Sequence, residues 1–532
     1  MKSIWFLRKT KILFDFAFGV QIFSIILFLF LASASVSLCG QNFNRPAPQG
    51  VLHPYEFQQY DTTNYGYYLT APYNYYLNAT YADFIRPKAT ILDKDGYVVW
   101  FSLNLNFSYW NFQYHPDTNL FSAYYQQTPI SLNNNYVFMD STFQIQSTLP
   151  AFNNLVINPH EFQLLRNGNA VYFATKDSIM DLSAYTFGGV QGSSTTHVTA
   201  FVIQEFNRAH QLVFQWNCLD HIFPTEAYIQ YGYNASGFDY AHGNSLSEDV
   251  DGNLLASFRH LNAVYKINHS TEAIMWQLGG KSNQFTFTND EGFSGQHDIK
   301  GHMDGSISIL DNANTTGHIS RSVTYTIDTI AHTATKTWEY VPNPSFYTSG
   351  MGNHQITPET NHLIDYGLSR RPEPSVEFVD NNGGFISRIL FQDSVISYRS
   401  YINKLPFKFP QPIITCIGGT NSVTLNAPAG YQTYLWSTGS LSNQITVTDT
   451  GTYQVWVNYG IGMLGSKPFF IHNINTACSS IHVDELPLKS PEGDYCIYDL
   501  LGRKILEPVI NHIYIYRYEN GYAKLQYFDG RK

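Results

Sequence analysis

Charge is what this sequence has least of. Asp, Glu, Lys and Arg make up 14% of its 532 residues, against about a quarter in ordinary soluble chains. The net charge of −10 is spread thinly and no basic run interrupts it, so nucleic acid is not an expected partner. Cysteine is scarce too. Beyond Cys39 there are Cys218, Cys416, Cys478 and Cys496, too few and too widely spaced for a disulfide scaffold. The absence of any C-x-x-C pair excludes a structural zinc site of that type. Helical periodicity is missing over the long central region, and past the N-terminus no apolar run is long enough to span a bilayer. What is abundant is aromatic: 16% of residues, with 39 Tyr and 38 Phe. Such side chains pack well on half-buried pleated surfaces, so the composition points to strands.

The first forty residues read as a signal peptide. Arg8, Lys9 and Lys11 give a positive start, FSIILFLFLASA supplies the apolar centre, and Ala32 and Ala34 offer an A-x-A cleavage site. An uncleaved anchor is the alternative. Leu38 is too bulky for Cys39 to be a good lipoprotein cysteine. The mature chain is expected to be secreted or held at the cell surface, where disulfides form and Cys416 could pair with Cys478 or Cys496.

Beyond that segment a unit recurs. A strand, a short Asp/Asn/Gly turn and a second strand appear in ILDKDGYVVWF (91–101), LLRNGNAVYF (164–173), SEDVDGNLLASFR (247–259) and GHMDGSISILD (301–311). These turns are hairpin chemistry. A second strand pair ends near tryptophan at Trp216, Trp276 and Trp338, which are 60 and 62 positions apart. A period near sixty with about four strands predicts β-propeller blades; a large β-sandwich is the alternative. KLPFKFPQP (404–412) carries three prolines in nine positions and marks a linker at 406–412. The segment 413–477, with Trp436 mid-strand and DTGTYQV around Tyr453, has the pattern of an immunoglobulin-like sandwich. The remainder, 478–532, is a further small β unit.

Aligned on their turns, the repeats place histidines in register. His160 precedes Gly168 by eight, His297 precedes Gly305 by eight, and His242 precedes Gly252 by ten. In the next repeat Asn353 precedes Asn361 by eight, with Asn361 in the glycine's place. Blades stand around one axis, so equivalent positions form a ring and these residues can share a pocket. A histidine ring can bind metal, though HEFQL at 160–164 has only the first half of a zinc-protease motif. It can also transfer a group, because imidazole is both nucleophile and proton carrier. His242 and Asn244, two apart on a strand, would face one ligand, and the Arg259 fork matches phosphate or sulfate oxygens.

The stretches ILDKDGYVVW, HEFQLLRNGN, HGNSLSEDVDGNLLASFRHLNAVYKINHSTEAIMWQLGG, QHDIKGHMDGSISILDN, SRSVTYTID and MGNHQITPETNHLIDYG, in that order over roughly 60–405, resemble the bacterial arylsulfotransferase family that works without a nucleotide sulfate donor. The resemblance implies an all-β chain whose residues 41–405 form a six-bladed β-propeller. It implies transfer of a sulfuryl group from a phenolic sulfate ester to a phenol through a sulfo-histidine, with no metal or other cofactor. By motif, His297 of QHD would be the nucleophile, and His242, Asn244 and Arg259 would hold the sulfuryl oxygens. His160 would handle a proton of donor or acceptor, and Asn353 would line the same pocket. Gly243 stands where a bulkier residue is common in the family motif, which implies a wider pocket. The Tyr-rich segments 60–81 and 108–137 read as propeller surface, with a phenol-binding mouth as the alternative.

CIYDLLGRKI and the strands after it are similar to C-terminal sorting domains of the type IX secretion system, which implies secretion machinery as a partner. Two rival functions remain: a non-catalytic propeller binding a ligand or glycan, and a metal-dependent hydrolase built on the histidine ring.

Overall fold

The computed structural model describes residues 45–75, 86–103, 107–127, 135–315 and 317–478, and the strand backbones within 495–528. The expected signal peptide, 1–40, lies outside the described residues. Among the described residues there is no α-helix; helical turns are 3-10 turns such as Cys218–Asp220 and Arg259–Leu261. The chain is all-β.

Six antiparallel sheets follow one another. Sheet A contains Tyr401–Asn403, Tyr67–Thr70, Thr90–Leu92 and Val98–Ser102 in that spatial order. Sheet B contains Phe107–His115, Leu120–Gln127, Asn135–Met139 and Ile145–Leu149. Sheet C contains Val156–Leu164, Ala170–Met180, Thr196–Phe206 and Leu212–Asn217. Sheet D contains Gly243–Glu248, Leu254–Phe258, Ala263–Ile267 and Ile274–Gly279. Sheet E contains His297–Gly301, Ser306–Asp311, Arg321–Asp328 and Thr333–Tyr340, edged by the parallel strand Thr286–Thr288. Sheet F contains Asn353–Ile356, His362–Asp365, Val376–Val379 and Phe385–Phe391. The early strand Tyr55–Gln59 completes F by pairing with Phe385–Phe391, while the late strand Tyr401–Asn403 opens A. The two ends of the run are thus exchanged between its first and last sheets. Trp216, Trp276 and Trp338 lie on the fourth strands of C, D and E.

The first strands of the sheets are tied in a circuit. Tyr401 donates to Asn111 Oδ1 (2.9 Å, A to B), Gln113 Nε2 to Phe162 O (3.3 Å, B to C) and Leu246 N to Glu161 Oε2 (3.4 Å, C to D). Asn244 Nδ2 donates to Gln296 O (2.7 Å, D to E) and His354 N to Asp298 Oδ2 (3.0 Å, E to F). Gln355 returns to sheet A with both ends of its amide on Ile402, at 2.8 and 2.9 Å. Middle strands such as Leu254–Phe258 and Ala263–Ile267 are buried along their whole length, as expected where both faces of a sheet are covered. That double covering explains why the chain has so little charge.

The hairpin turns recur as read, with one correction. Gly168, Gly252 and Gly305 take φ of 82°, 83° and 82°, each bonding back to the carbonyl three residues earlier. In sheet F that place belongs to Thr360 (φ 62°), whose N–H bonds Thr357 O, and not to Asn361. The last repeat therefore shifts by one. Gly352 is the counterpart of His160 and His297, and Asn353 is the counterpart of Glu161 and Asp298.

The segment after 404 is docked against sheets A and B, Phe409 meeting Tyr67 of sheet A edge-on at 5.4 Å. Phe409 stacks on Phe143 (centroids 5.9 Å apart), and Gln411 Nε2 donates to Gly465 O (3.0 Å). Of the expected sandwich, Thr415–Gly419, Ser422–Asn426 and Gln444–Val447 form one sheet. Tyr434–Trp436, Val455–Tyr459 and Gly462–Gly465 extend sheet A, with Met463 opposite Phe101. Gly462 permits this: a Cβ there would stand 2.1 Å from Phe101 O. The Tyr453 hydroxyl donates to Asp449 O (2.9 Å), four residues upstream. Cys416 and Cys478 are each disulfide-bonded and Cys218 is a buried thiol. Residues 478–532 form a separate unit with antiparallel strands in the order Lys504–Ile505, Tyr495–Tyr498, His512–Tyr518, Ala523–Phe528.

Candidate active site

The histidines are aimed by irregularities in their strands. The first hairpins of C, D and E each break register: between Ile157 and Phe162, between Gly243 and Ser245, and between His297 and Lys300. An extra residue in one strand bends it and re-aims side chains. His242 (φ 52°) and Asp298 (φ 57°) sit at these bends. Sheet F has no such break, and Asn353 pairs regularly with Asp365.

Four imidazoles and one guanidinium meet as a result. The ring of His242 lies 4.9 Å from that of His160 in a T-shaped contact and 4.5 Å from that of His260, stacked. His260 stacks in turn on Tyr231 at 4.2 Å, and the Arg259 guanidinium stands over the same Tyr231 ring at 4.8 Å. A Cβ on Gly350 would lie 3.7 Å from both Arg259 and His297 Cε1, so those two side chains flank one glycine.

Each imidazole is held by its Nδ1. His297 Nδ1 lies 2.7 Å from Asn312 Oδ1 and 3.1 Å from Gly295 O. Both partners only accept, so Nδ1 carries the hydrogen and Nε2 the lone pair. That lone pair accepts from Met351 N at 3.1 Å. His160 Nδ1 donates to Asn158 Oδ1 (2.5 Å), His242 Nδ1 to Asp239 Oδ2 (2.5 Å) and His260 Nδ1 to Asp239 O (2.6 Å). Arg259 Nη2 donates to Ser349 O at 2.8 Å.

Burial, then the Arg259 guanidinium, then His242 and His160 push His297 well below the ordinary imidazole value. Burial and His242 do the same to His160 and take His260 down to about 3. Burial works against the Asp239 carboxylate, yet the His242 bond and the nearby imidazoles hold it below its usual value. Away from the site, burial lowers His115 to about 4 and His354 further. All these histidines are neutral when folded at pH 7. Their unfolded value is about 6.5, so the unfolded chain binds more protons below that pH and stability falls as pH falls. His269, raised by Glu205, opposes the trend, and so do Asp365, Asp93 and Asp311, which burial raises to about 7, 6 and 6. The lowered histidines outnumber them, so the urea midpoint should drop from pH 7 to pH 5; a flat or rising midpoint would contradict this assignment.

Two expected residues are elsewhere. Asn244 is fully buried, with Nδ2 on Gln296 O and Oδ1 accepting from Ser245. The bulge at 243–245 breaks the alternation that would have put it beside His242. Asn353 is fully buried as well, with both ends of its amide on Ser400 (2.8 and 2.9 Å). Both residues tie sheets together. Gly243 does not widen the pocket either, since a Cβ there would meet Phe173 and Phe201 at 2.9 Å.

The Tyr-rich early segments supply core more than surface: Tyr68, Tyr73, Tyr109, Tyr124 and Tyr136 are buried. Tyr73, Trp110, Tyr398 and His160 form a chain of ring contacts at 4.7, 6.5 and 5.6 Å. Beneath the histidines lies an ionic group missed by the sequence reading. Arg399 is fully buried, 2.8 Å from Glu161 and 3.5 Å from Asp298, and its Nη2 donates to Asn244 O at 2.8 Å. Lys300 adds contacts of 3.5 and 3.2 Å to the same acids. The visible signal was the acid following two of the three histidines, in HE at 160–161 and HD at 297–298.

Asp239, His242 and His260 bring metal-ligating atom types within 4.8 Å of one another. Their geometry is that of hydrogen-bond partners. Ligands about 2.0–2.1 Å from a tetrahedral metal stand roughly 3.3 Å apart, and Asp239 Oδ2 to His242 Nδ1 is 2.5 Å.

No curated protein matches the chain. Among solved structures, a protein of unknown function from Bacteroides caccae aligns at 10% identity and TM-score 0.37, covering 64% of this chain and 98% of its own. A catalytically inactive virginiamycin B lyase from Staphylococcus aureus with quinupristin aligns at 10% and 0.33, covering 70% and 96%. A streptogramin B lyase aligns at 10% and 0.30, covering 76% and 98%. Likeness at this level bears on neither chemistry nor substrate. Residues 131–392, the stretch that carries His160, His242, Arg259 and His297, match the arylsulfotransferase (ASST) family.

Proposed function

We propose that sheets A to F are the six blades of one β-propeller. At the mouth of its channel, the chain transfers a sulfuryl group from a phenolic sulfate ester to an acceptor phenol through sulfo-His297. The hydrogen-bond circuit that runs from sheet A through F and back supports the architecture. One observation carries the chemistry: His297 is pinned through Nδ1 to Asn312, which puts its lone pair on Nε2, and its ring and Arg259 flank the same glycine, Gly350. A neutral imidazole with a fixed tautomer is a nucleophile at neutral pH.

The attack is in line. The Nε2 lone pair forms the new S–N bond while the S–O bond to the phenol breaks. The Met351 N–H that occupies this lone pair must release it, and is then free to donate to a sulfuryl oxygen. Arg259 supplies fixed positive charge and donors, which act strongest in a partly buried site. An incoming phenol then takes the group back from nitrogen. The ring chain Tyr73, Trp110, Tyr398 offers apolar faces on the side of His160. The residues require neither metal nor nucleotide. Export is part of this reading, on the pattern of the N-terminal segment and the sorting-like tail.

The test is incubation of the purified chain with an aryl sulfate whose phenol is coloured, with and without a second phenol and with a chelator. Colour release that depends on the acceptor, survives chelation and accompanies a transient mass gain of one SO₃ is the expected result. Absence of turnover with every donor would leave a ligand-binding propeller instead.

A further inference from the structure

Sulfuryl transfer between phenols moves a proton as well as sulfur. A phenol near the acidity of tyrosine, with a pKa of about 10, leaves poorly as its anion and attacks poorly while protonated. Some group must give the first oxygen a proton and take one from the second. Three further imidazoles cluster at the site, His160 and His260 each packed against His242, and their anchors differ in kind. His160 is held by an amide oxygen of Asn158, and His260 by a backbone carbonyl. Neutral acceptors fix a tautomer without favouring a second proton. Only His242 is held by a carboxylate, at 2.5 Å.

That carboxylate is itself well fixed. Asp239 Oδ1 accepts from the His242 backbone N–H at 3.0 Å, and its carbonyl accepts from His260. The Asp239–His242 pair is therefore a closed local loop that cannot swing apart without breaking two bonds. The groups facing His242 are His160 and His260, both neutral, with Arg259 nearby as the opposing positive charge. A carboxylate against Nδ1–H stabilises an imidazolium and fixes Nε2 as the atom that exchanges protons.

We propose that Asp239 is a positioning residue that makes His242 the proton carrier of the transfer. This rests on the sulfotransfer reading above, and it moves the proton role from His160 to His242. In the first half, His297 Nε2 bonds to sulfur and the electron pair of the S–O bond goes to the departing phenolic oxygen. That oxygen takes the proton from His242 Nε2. In the second half, neutral His242 takes the acceptor phenol's proton as its oxygen bonds to sulfur and the S–N bond returns its pair to His297. The proton lent is recovered, and no other reactant is needed.

The test is Asp239→Asn assayed with donors of graded leaving-group acidity. With a nitrophenyl sulfate, whose anion departs unaided, the first half-reaction should slow by less than about 10-fold. With unsubstituted phenyl sulfate it should slow by about 10²–10⁴-fold, the range of lost general acid catalysis. A loss that is equal across the donors overturns the proposal and leaves Asp239 a structural residue. Should Asp239→Asn fail to fold, His242→Gln carries the same prediction of a donor-dependent loss. The parent reading has its own readout: wild-type chain that neither gains SO₃ from nitrophenyl sulfate nor releases its phenol refutes sulfotransfer itself. A uniform loss in an otherwise active protein refutes only the role of Asp239.

Discussion

Replacing His297 with alanine should abolish transfer, with a loss on the order of 10⁴–10⁶-fold in turnover, and should remove the SO₃ adduct altogether. The magnitude follows from the group's role. No other imidazole at the site has an Nε2 whose orientation is fixed from both sides, by Asn312 at Nδ1 and by Met351 N–H at Nε2. Residual donor hydrolysis should persist at a low level, since Arg259 and the remaining donors still stabilise the developing charge. The side chain is only 2% exposed, so unfolding must be separated from chemistry. The variant should keep its urea transition within about 2 kcal/mol of wild type, a usual range for a single substitution, while losing activity completely. An adduct that survives in His297→Ala would move the nucleophile to another residue.

Much of this site was legible in the sequence, and the limits of the reading have a physical cause. His160, His242 and His297 were found because hairpin turns have strict backbone requirements, and counting back from a left-handed glycine locates equivalent positions. The same count failed where the turn residue was Thr360, since a β-branched residue at positive φ is not something a sequence announces. It failed again at Asn244. Strand alternation assumes a regular ladder, and a bulge is one unpaired residue with no composition of its own. Asp239, Asn158 and Asn312 went unread for a different reason. Asp239 acts from a loop, Asn312 from just past the end of a second strand and Asn158 from the irregular part of His160's own strand, and these roles exist only once the chain is folded. The segment 413–477 reads as a separate body because its strands and the linker look self-contained. Gly462 removes that independence by admitting the edge of sheet A within backbone contact.

Arg399 carries the second large effect, on folding rather than on chemistry. It has no exposed surface, and its guanidinium meets Glu161 of sheet C, Asp298 of sheet E and the Asn244 carbonyl of sheet D, all from the segment leading into sheet A. Removing one partner of a buried ionic group leaves the rest uncompensated, at a cost of about 3–5 kcal/mol. Burial alone would raise Glu161, and it is Arg399 followed by Lys300 that brings it below its usual value. Arg399→Leu should therefore lower the unfolding free energy by about that amount. Lys300, more exposed and at 3.2–3.5 Å, recovers only part of the loss. Adding Glu161→Gln to Arg399→Leu removes one of the stranded charges, so the double variant should be more stable than Arg399→Leu alone. If instead the two substitutions add, the guanidinium and the carboxylate are not coupled, and the sheets are held at their axis by the amide clamps of Asn244, Asn353 and Gln355. The histidines stand directly on this layer, at residues 160 and 297 against acids at 161 and 298. A variant that loosens it without unfolding should therefore lose transfer in proportion, because Nε2 of His297 and the guanidinium of Arg259 must hold their separation to within about half an ångström for the attack to stay in line.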